Sequence, residues 1–207
     1  MTSKYTIIGK GGLHDIIIDI LGKNFYQGFY DDRLHNTNYY LGELAKVGNL
    51  PSLVAIASIS NMLLREKILK NLKDKNLLSL NAISTKSNLS SGIILGFGNI
   101  ILPFVQIGVN VSLGDGNIVF SNSVIEHDSK IGNNVNIAPG VNIAGNVNIE
   151  DNVYIGVGTN IIDGITIGKN SVIGAGSTVL KNVEENSIYF GSPAKKIKNN
   201  NLYKSIK

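Results

Sequence analysis

The sequence predicts two folds in series, a small α/β domain and then an all-β parallel β-helix of hexapeptide repeats. Three observations predict this. Aliphatic residues recur at every sixth position from Leu89 to Val179, without an insertion or deletion. Glycine and asparagine stand in fixed phase with that ladder, as in Ile131-Gly132, Ile155-Gly156 and Ile173-Gly174. Before residue 82 the period is absent, and short apolar strands alternate with helix-like stretches instead.

A helix repeats its apolar residues every 3.6 positions and an ordinary half-buried strand every second one. A period of six fits neither. It fits short flat strands joined by corners, because glycine and asparagine tolerate the left-handed backbone that such corners need. Small or β-branched residues recur four positions after the aliphatics, among them Val105, Val111, Ser123, Val135, Val147 and Thr159. Three hexads close one triangular coil, whose aliphatics stack as ladders inside a prism. Residues 83–182 form this domain, and the region 89–180 supplies about five such coils.

Residues 1–82 read as a half-sized, Rossmann-like α/β domain. KYTIIG (4–9) is a strand, HDIIIDILGK (14–23) a short helix and YQGFYDD (26–32) a second strand ending in two aspartates. SLVAIAS (52–58) is a third strand, NMLLREKILKNLKDK (61–75) an amphipathic helix and LLSL (77–80) a last strand leading into the coils. Strands alternating with helices imply a small parallel sheet. The glycine loop after the first strand suits a phosphate held by backbone amides at a helix N-terminus. Asp31 and Asp32 follow about 20 residues later, where an acid binds a ribose or base. From the residues alone, a tight strand–helix turn with solvated aspartates is the competing reading. Residues 183–207 form a C-terminal extension with a basic tail.

Composition narrows the function classes. The chain has no cysteine, which removes disulfides and thiolate metal sites. No apolar run reaches the ~18 residues of a membrane span, and the apolar stretch near the N-terminus is too short for a signal peptide. A cytoplasmic location is the expectation. The formal charge of +4 is misleading, since five lysines and no acid fall in the closing stretch KKIKNNNLYKSIK. No basic patch interleaved with aromatics supports nucleic-acid binding.

One imidazole interrupts the repeat. His127, in the stretch Glu126-His127-Asp128, is the single histidine of the C-terminal two-thirds; His14 and His35 lie in the first domain. A zinc site needs about three such ligands, so no metal is expected. No strained G-x-S-x-G elbow singles out Ser121, Ser123 or Ser129 as a nucleophile. What remains is a lone base. Glu126 or Asp128 beside it fixes its tautomer and raises its basicity, which suits proton removal from an attacking amine or hydroxyl. A surface histidine at a coil corner is the plain alternative.

The glycine-loop sheet, the hexapeptide coils, the Glu-His-Asp and a closing Gly-Ser-Pro-Ala-Lys at 191–195 occur in that order from Ile7 to Ile197. In this the chain resembles the sialic-acid O-acetyltransferase and nucleotide-amino-sugar N-acetyltransferase family of bacterial polysaccharide and glycan pathways. The resemblance implies left-handed coils, a homotrimer with each site between two prisms, and acetyl-CoA as co-substrate. It makes His127 the general base and Asp128 the acid that raises its basicity, with Glu126 in reserve. It assigns the nucleotide sugar to Gly11, Gly12, Leu13, Asp31, Asp32, Ala57 and Ser58, and the acetyl-CoA channel to Asn136, Val157 and Ala175. The implied reaction is N-acetylation of a nucleotide-linked amino sugar, with O-acetylation of a sialic acid as its rival on the same scaffold and a silent trimeric scaffold as a third reading.

Three positions depart from the family pattern. Asn136 stands where a second histidine is frequent, nine residues after the base. Leu13 takes the place of a loop histidine, with His14 one residue late, and Phe120 replaces an asparagine seven residues before the base.

Overall fold

The structure is a computed structural model that describes residues 4–33, 37–43, 46, 53–56 (backbone only), 61–74 and 80–201. The chain divides into two compact units, one of residues 1–83 with 97–100 and one of residues 84–96 with 101–207.

The first unit contains strand β1 (Tyr5–Ile8), helix α1 (His14–Leu21), β2 (Tyr26–Tyr30), β3 (Tyr40–Gly42), β4 (Leu53–Ile56) and helix α2 (Met62–Asp74). The strands form a parallel sheet in the order β3-β2-β1-β4. All four residues of β1 are buried, as befits a central strand of a parallel sheet covered on both faces. Ile8 packs with Ile68, Leu69 and Leu72 of α2. Leu13 and Ile17 are buried at the start and on the inner face of α1. α1 stops at Gly22, whose φ of 91° leaves the helical region. The expected strand at 26–32 is shorter, so that Asp31 and Asp32 lie just beyond its C-terminal end. β3 was not expected. It has only three residues and exists through its register with Phe29 and Tyr30 of β2, a partner that local sequence does not reveal. Of the expected strand 77–80, residues 77–79 lie outside the described residues.

The second unit is a left-handed parallel β-helix. Most of its strands are dipeptides, and each pairs in parallel with the strand three hexads further on, as Val124 does with Asn142, Ile118 with Asn136 and Ser112 with Lys130. Coil thus lies on coil in register, and the inward aliphatics Ile107, Ile125, Ile143 and Ile161 stack with 0–3% of their surface exposed. The corners explain the second sequence signal. From residue 92 to residue 176 every sixth residue has a φ between 56° and 73°, the left-handed region. Glycine or asparagine fills all of these corners except two, Phe104 and Asp128. Aspartate, with its short polar side chain, enters that region at modest cost.

Side-chain ladders reinforce the stack. Asn134 Nδ2 donates to Asn152, Asn152 to Asn170 and Asn170 to Asn186, at 2.7, 3.3 and 2.9 Å. After Val179 the six-residue register ends. Strand Ser187–Phe190 pairs with Val172–Ile173 and turns through a cis Ser192–Pro193 bond into an antiparallel partner, Lys195–Asn199. Among the described residues, no helix is long and apolar enough to cross a membrane.

Candidate active site

His127 sits at the corner between strands Val124–Ile125 and Lys130–Ile131. The corner is held from both sides. Asp128 donates its N–H to Val109 O at 3.0 Å, and Asn146 donates its N–H to His127 O at 2.9 Å. Ser129, fully buried, donates its hydroxyl to Ala144 O and accepts from Val147 N–H, both at 3.1 Å. A tripeptide anchored this way presents its side chains from a rigid element, which a base needs if it is to meet its proton in one geometry.

The imidazole is half exposed, with Nδ1 at 2.9 Å from Asp128 Oδ2. The other carboxylate oxygen, Oδ1, accepts from Asn110 Nδ2 one coil earlier, at 3.1 Å. Both oxygens of Asp128 are therefore engaged, and Asp128 reaches them from a left-handed corner. A carboxylate on Nδ1 puts the proton there and leaves Nε2 as the acceptor. The Asp128 hydrogen bond is the main cause that raises the His127 pKa above its usual value; the charges of Asp128, Glu126 and Asp163 act in the same direction. The Asp128 carboxyl is held below the usual range by His127 first and Asn110 second. Glu126 is exposed and acts on the ring through its charge, so the orienting partner is Asp128. Asn110 and Asp163 were missed in the sequence. Their signal is the coil period of three hexads, which places 110 beside 128, and 145 and 163 in line with 127.

Asn136 lies on the strand Asn136–Ile137, between Ile118 and Tyr154. Only 5% of it is exposed, and its Oδ1 has no hydrogen-bond donor among the described residues. Val157 and Ala175 are exposed at another corner, stitched together by the Gly176 N–H to Val157 O bond of 2.7 Å. That corner and the His127 corner bound opposite edges of one prism face, the face carrying Val124–Ile125, Asn142–Ile143 and Asn160–Ile161. One chain does not unite them at a single edge.

In the first unit the glycine loop links β1 to α1. Gly12 is exposed, with open space where a Cβ would stand, and Gly11 O accepts from His14 N–H at 3.0 Å. Leu13 is buried to 2% exposure, so its side chain belongs to the core and only its backbone faces the loop. Asp31 is also buried, at 3%. Its Oδ2 accepts from Lys10 N–H at 2.9 Å and its Oδ1 from Arg33 N–H at 2.7 Å, tying the glycine loop to the end of β2. Burial pushes the Asp31 pKa up, but those two amides and the Arg33 charge outweigh it and the net shift is downward. Asp32 is exposed beside it. Ala57 and Ser58 lie outside the described residues. Among the described residues no group of three or more His, Cys, Asp or Glu is placed to hold a metal ion.

The pattern of the bacterial transferase hexapeptide, described as six repeats, matches residues 110–145 and 146–181. Three solved structures resemble nearly the whole chain. PerB from Caulobacter crescentus, solved with CoA and GDP-perosamine, is 26% identical with a TM-score of 0.85, over 95% of this chain and 98% of that one. WeeI from Acinetobacter baumannii AYE is 28% identical with a TM-score of 0.84, over 95% and 100%. The acetyltransferase domain of PglB from Neisseria gonorrhoeae FA1090, solved with acetyl coenzyme A, shares the fold at 24% identity and a TM-score of 0.86, over 95% and 100%.

Proposed function

We propose that the chain is an acetyl-CoA-dependent N-acetyltransferase acting on a nucleotide-linked amino sugar, in keeping with its hexapeptide repeats and its likeness to PerB. The observation that carries the proposal is the Asp128–His127 pair, rigidly mounted on a coil corner with its imidazole half exposed and Nε2 free of any hydrogen bond among the described residues. Nε2 removes the proton as the sugar amine attacks the thioester carbonyl. The C–N bond forms, the carbonyl electrons move onto oxygen, and coil amides stabilise that charge. The intermediate then collapses, the C–S bond breaks, and the imidazolium returns its proton to the departing CoA thiolate. Asp128 keeps Nδ1 protonated throughout and offsets the positive charge on the ring.

Within the first unit we assign the nucleotide to Gly11, Gly12 and Asp32, with Asp31 tying the glycine loop to the end of β2. Val157 and Ala175 line the acetyl-CoA channel, and Asn136 is assigned to it with them. Because the base and the channel residues occupy different edges of one prism, a complete site needs the edge of a second copy. We therefore propose a cyclic homotrimer, acting in the cytoplasm. The likeness to PerB, solved with CoA and GDP-perosamine, favours an amine acceptor over a hydroxyl.

Thiol release from acetyl-CoA, measured against a panel of UDP-, dTDP-, GDP- and CMP-linked amino sugars, tests the reading. Turnover with one of them and not with sialic acid is expected. Turnover with sialic acid alone would transfer the same base to O-acetylation, and none with any acceptor would leave a silent scaffold. Light scattering at micromolar concentration should give the mass of three chains; a monomer would sink the shared site.

A further inference from the structure

Fifteen residues immediately precede a left-handed corner, at every sixth position from Ser91 to Ala175, and Gly145 is the one glycine among them. The backbone does not demand it. In the same column the neighbouring coils carry Val109, His127 and Asp163, and Gly145 itself is outside the left-handed region where a side chain is strained. Nor does coil packing demand it. A Cβ on Gly108, Gly132, Gly156 or Gly168 would collide with main-chain atoms of the next coil. The three atoms nearest to a Cβ on Gly145 all belong to side chains, His127 Cε1 at 2.6 Å, His127 Nε2 at 2.7 Å and Asp163 Oδ1 at 3.2 Å.

We infer that Gly145 is a positioning residue for the proposed base. Its missing side chain is the seat on which the His127 ring lies, with Nδ1 on Asp128 and the Nε2 edge facing Asp163. Both the ring edge and the carboxylate border the point above Gly145 Cα, so Asp163 lies within about 6 Å of Nε2, close enough to act on its charge. Asn146 Nδ2 holds Asp163 there, donating to its Oδ1 at 3.3 Å. The charged groups facing the ring are thus Glu126 and Asp128 on its own coil and Asp163 two coils on. A methyl group at 145 would lift the ring off this seat. The ring is the free end of a side chain and yields, so the coil stays intact.

The inference rests on the proposed acetyl transfer for its meaning, but its test has an arm that does not. In the full-length chain, Gly145→Ala should fold with an unchanged Tm, and the imidazole titration of His127, followed by NMR, should move down toward the ordinary value near ~6.5. kcat should fall about 10–100-fold, and the KM for acetyl-CoA should stay within about threefold. In a His127→Ala background, Gly145→Ala should cost nothing further in kcat or Tm. An unchanged titration and kcat in a folded Gly145→Ala would overturn the assignment. So would a second loss in the His127→Ala background, or a failure to fold, since each would mean that the methyl strikes the coil and not the ring. Should the wild type transfer no acetyl group, the proposed function fails and the NMR titration still decides the role of Gly145.

Discussion

The dipeptide His-Asp occurs twice in this chain, and the two copies have opposite fates. His14 and Asp15 open helix α1; His127 and Asp128 turn a coil corner. In both, Nδ1 contacts the neighbouring carboxylate at nearly the same distance, 2.8 and 2.9 Å. The difference lies at Nε2. That of His14 meets the Tyr26 hydroxyl at 2.9 Å, and the ring is packed edge-on against Tyr26 and Phe29 with 4% of the residue exposed. That of His127 has no hydrogen bond among the described residues, and half its side chain is open. The same two residues make a brace in one unit and, in the proposed reaction, a base in the other. An imidazole whose two nitrogens are both engaged has no lone pair to lend, and burial denies it an acceptor to act upon. The environment of Tyr26 agrees, since burial first, with Tyr5, Asp15 and Tyr39 nearby, pushes its hydroxyl far above the normal range.

The sharpest way to break this contrast is to remove each ring in turn. His127→Ala should lower kcat by about 10²–10⁴-fold, leave acetyl-CoA binding in place and leave Tm alone, because the ring is half exposed. His14→Ala should do the reverse. Losing a buried ring and leaving the Tyr26 hydroxyl without its partner should cost about 1–3 kcal/mol of stability, with kcat per folded molecule preserved. Thermal melts and initial rates on both variants decide the matter. A stable, inactive His14→Ala or an unfolded His127→Ala would reverse the roles.

A finer probe is the partner acid. Asp128 raises the pKa of His127, so the wild-type rate should rise with pH through a limb above ~6.5. Asp128→Asn removes the charge while keeping a residue type that fills six of the other corners. Its Tm should be unchanged, its kcat at neutral pH should drop about tenfold, and its limb should lie at lower pH than the wild type's. A limb that stays in place would mean that another group titrates. The smallest effect is expected in the first unit. Asp32→Ala should raise the KM for the nucleotide sugar several-fold without changing that for acetyl-CoA. Asp31→Ala should lower Tm as well, because the amides of Lys10 and Arg33 lose their acceptor. Equal changes in both Michaelis constants would return Asp32 to a solvated turn.

Much of the coil unit was legible because its period is local. Every sixth residue repeats one inward position and one corner, so the aliphatic ladder from Leu89 to Val179 and the asparagine corners can be counted along the chain. The Glu-His-Asp stretch stood out against that regularity for the same reason. Less was legible where a role depends on a partner distant in sequence. The carboxylate of Asp31 read as a ligand for a ribose or base, yet it closes the loop through Lys10, 21 residues away. Leu13 read as part of a binding loop and proves to be core.

By itself, then, the sequence determined the prism, its coil number and the identity of the one exposed imidazole within it, since these follow from spacing and residue type. Tertiary structure decided the rest. It chose Asp128 over Glu126 as the partner of His127, because the left-handed corner aims the carboxylate back at Nδ1 while Asn110 holds it from the coil before. It buried His14 against Tyr26 and Phe29, because parallel pairing of β1 and β2 brings those rings over the start of α1. It set Gly145 beneath His127, because coils stacked three hexads apart make neighbours of residues that share no local pattern.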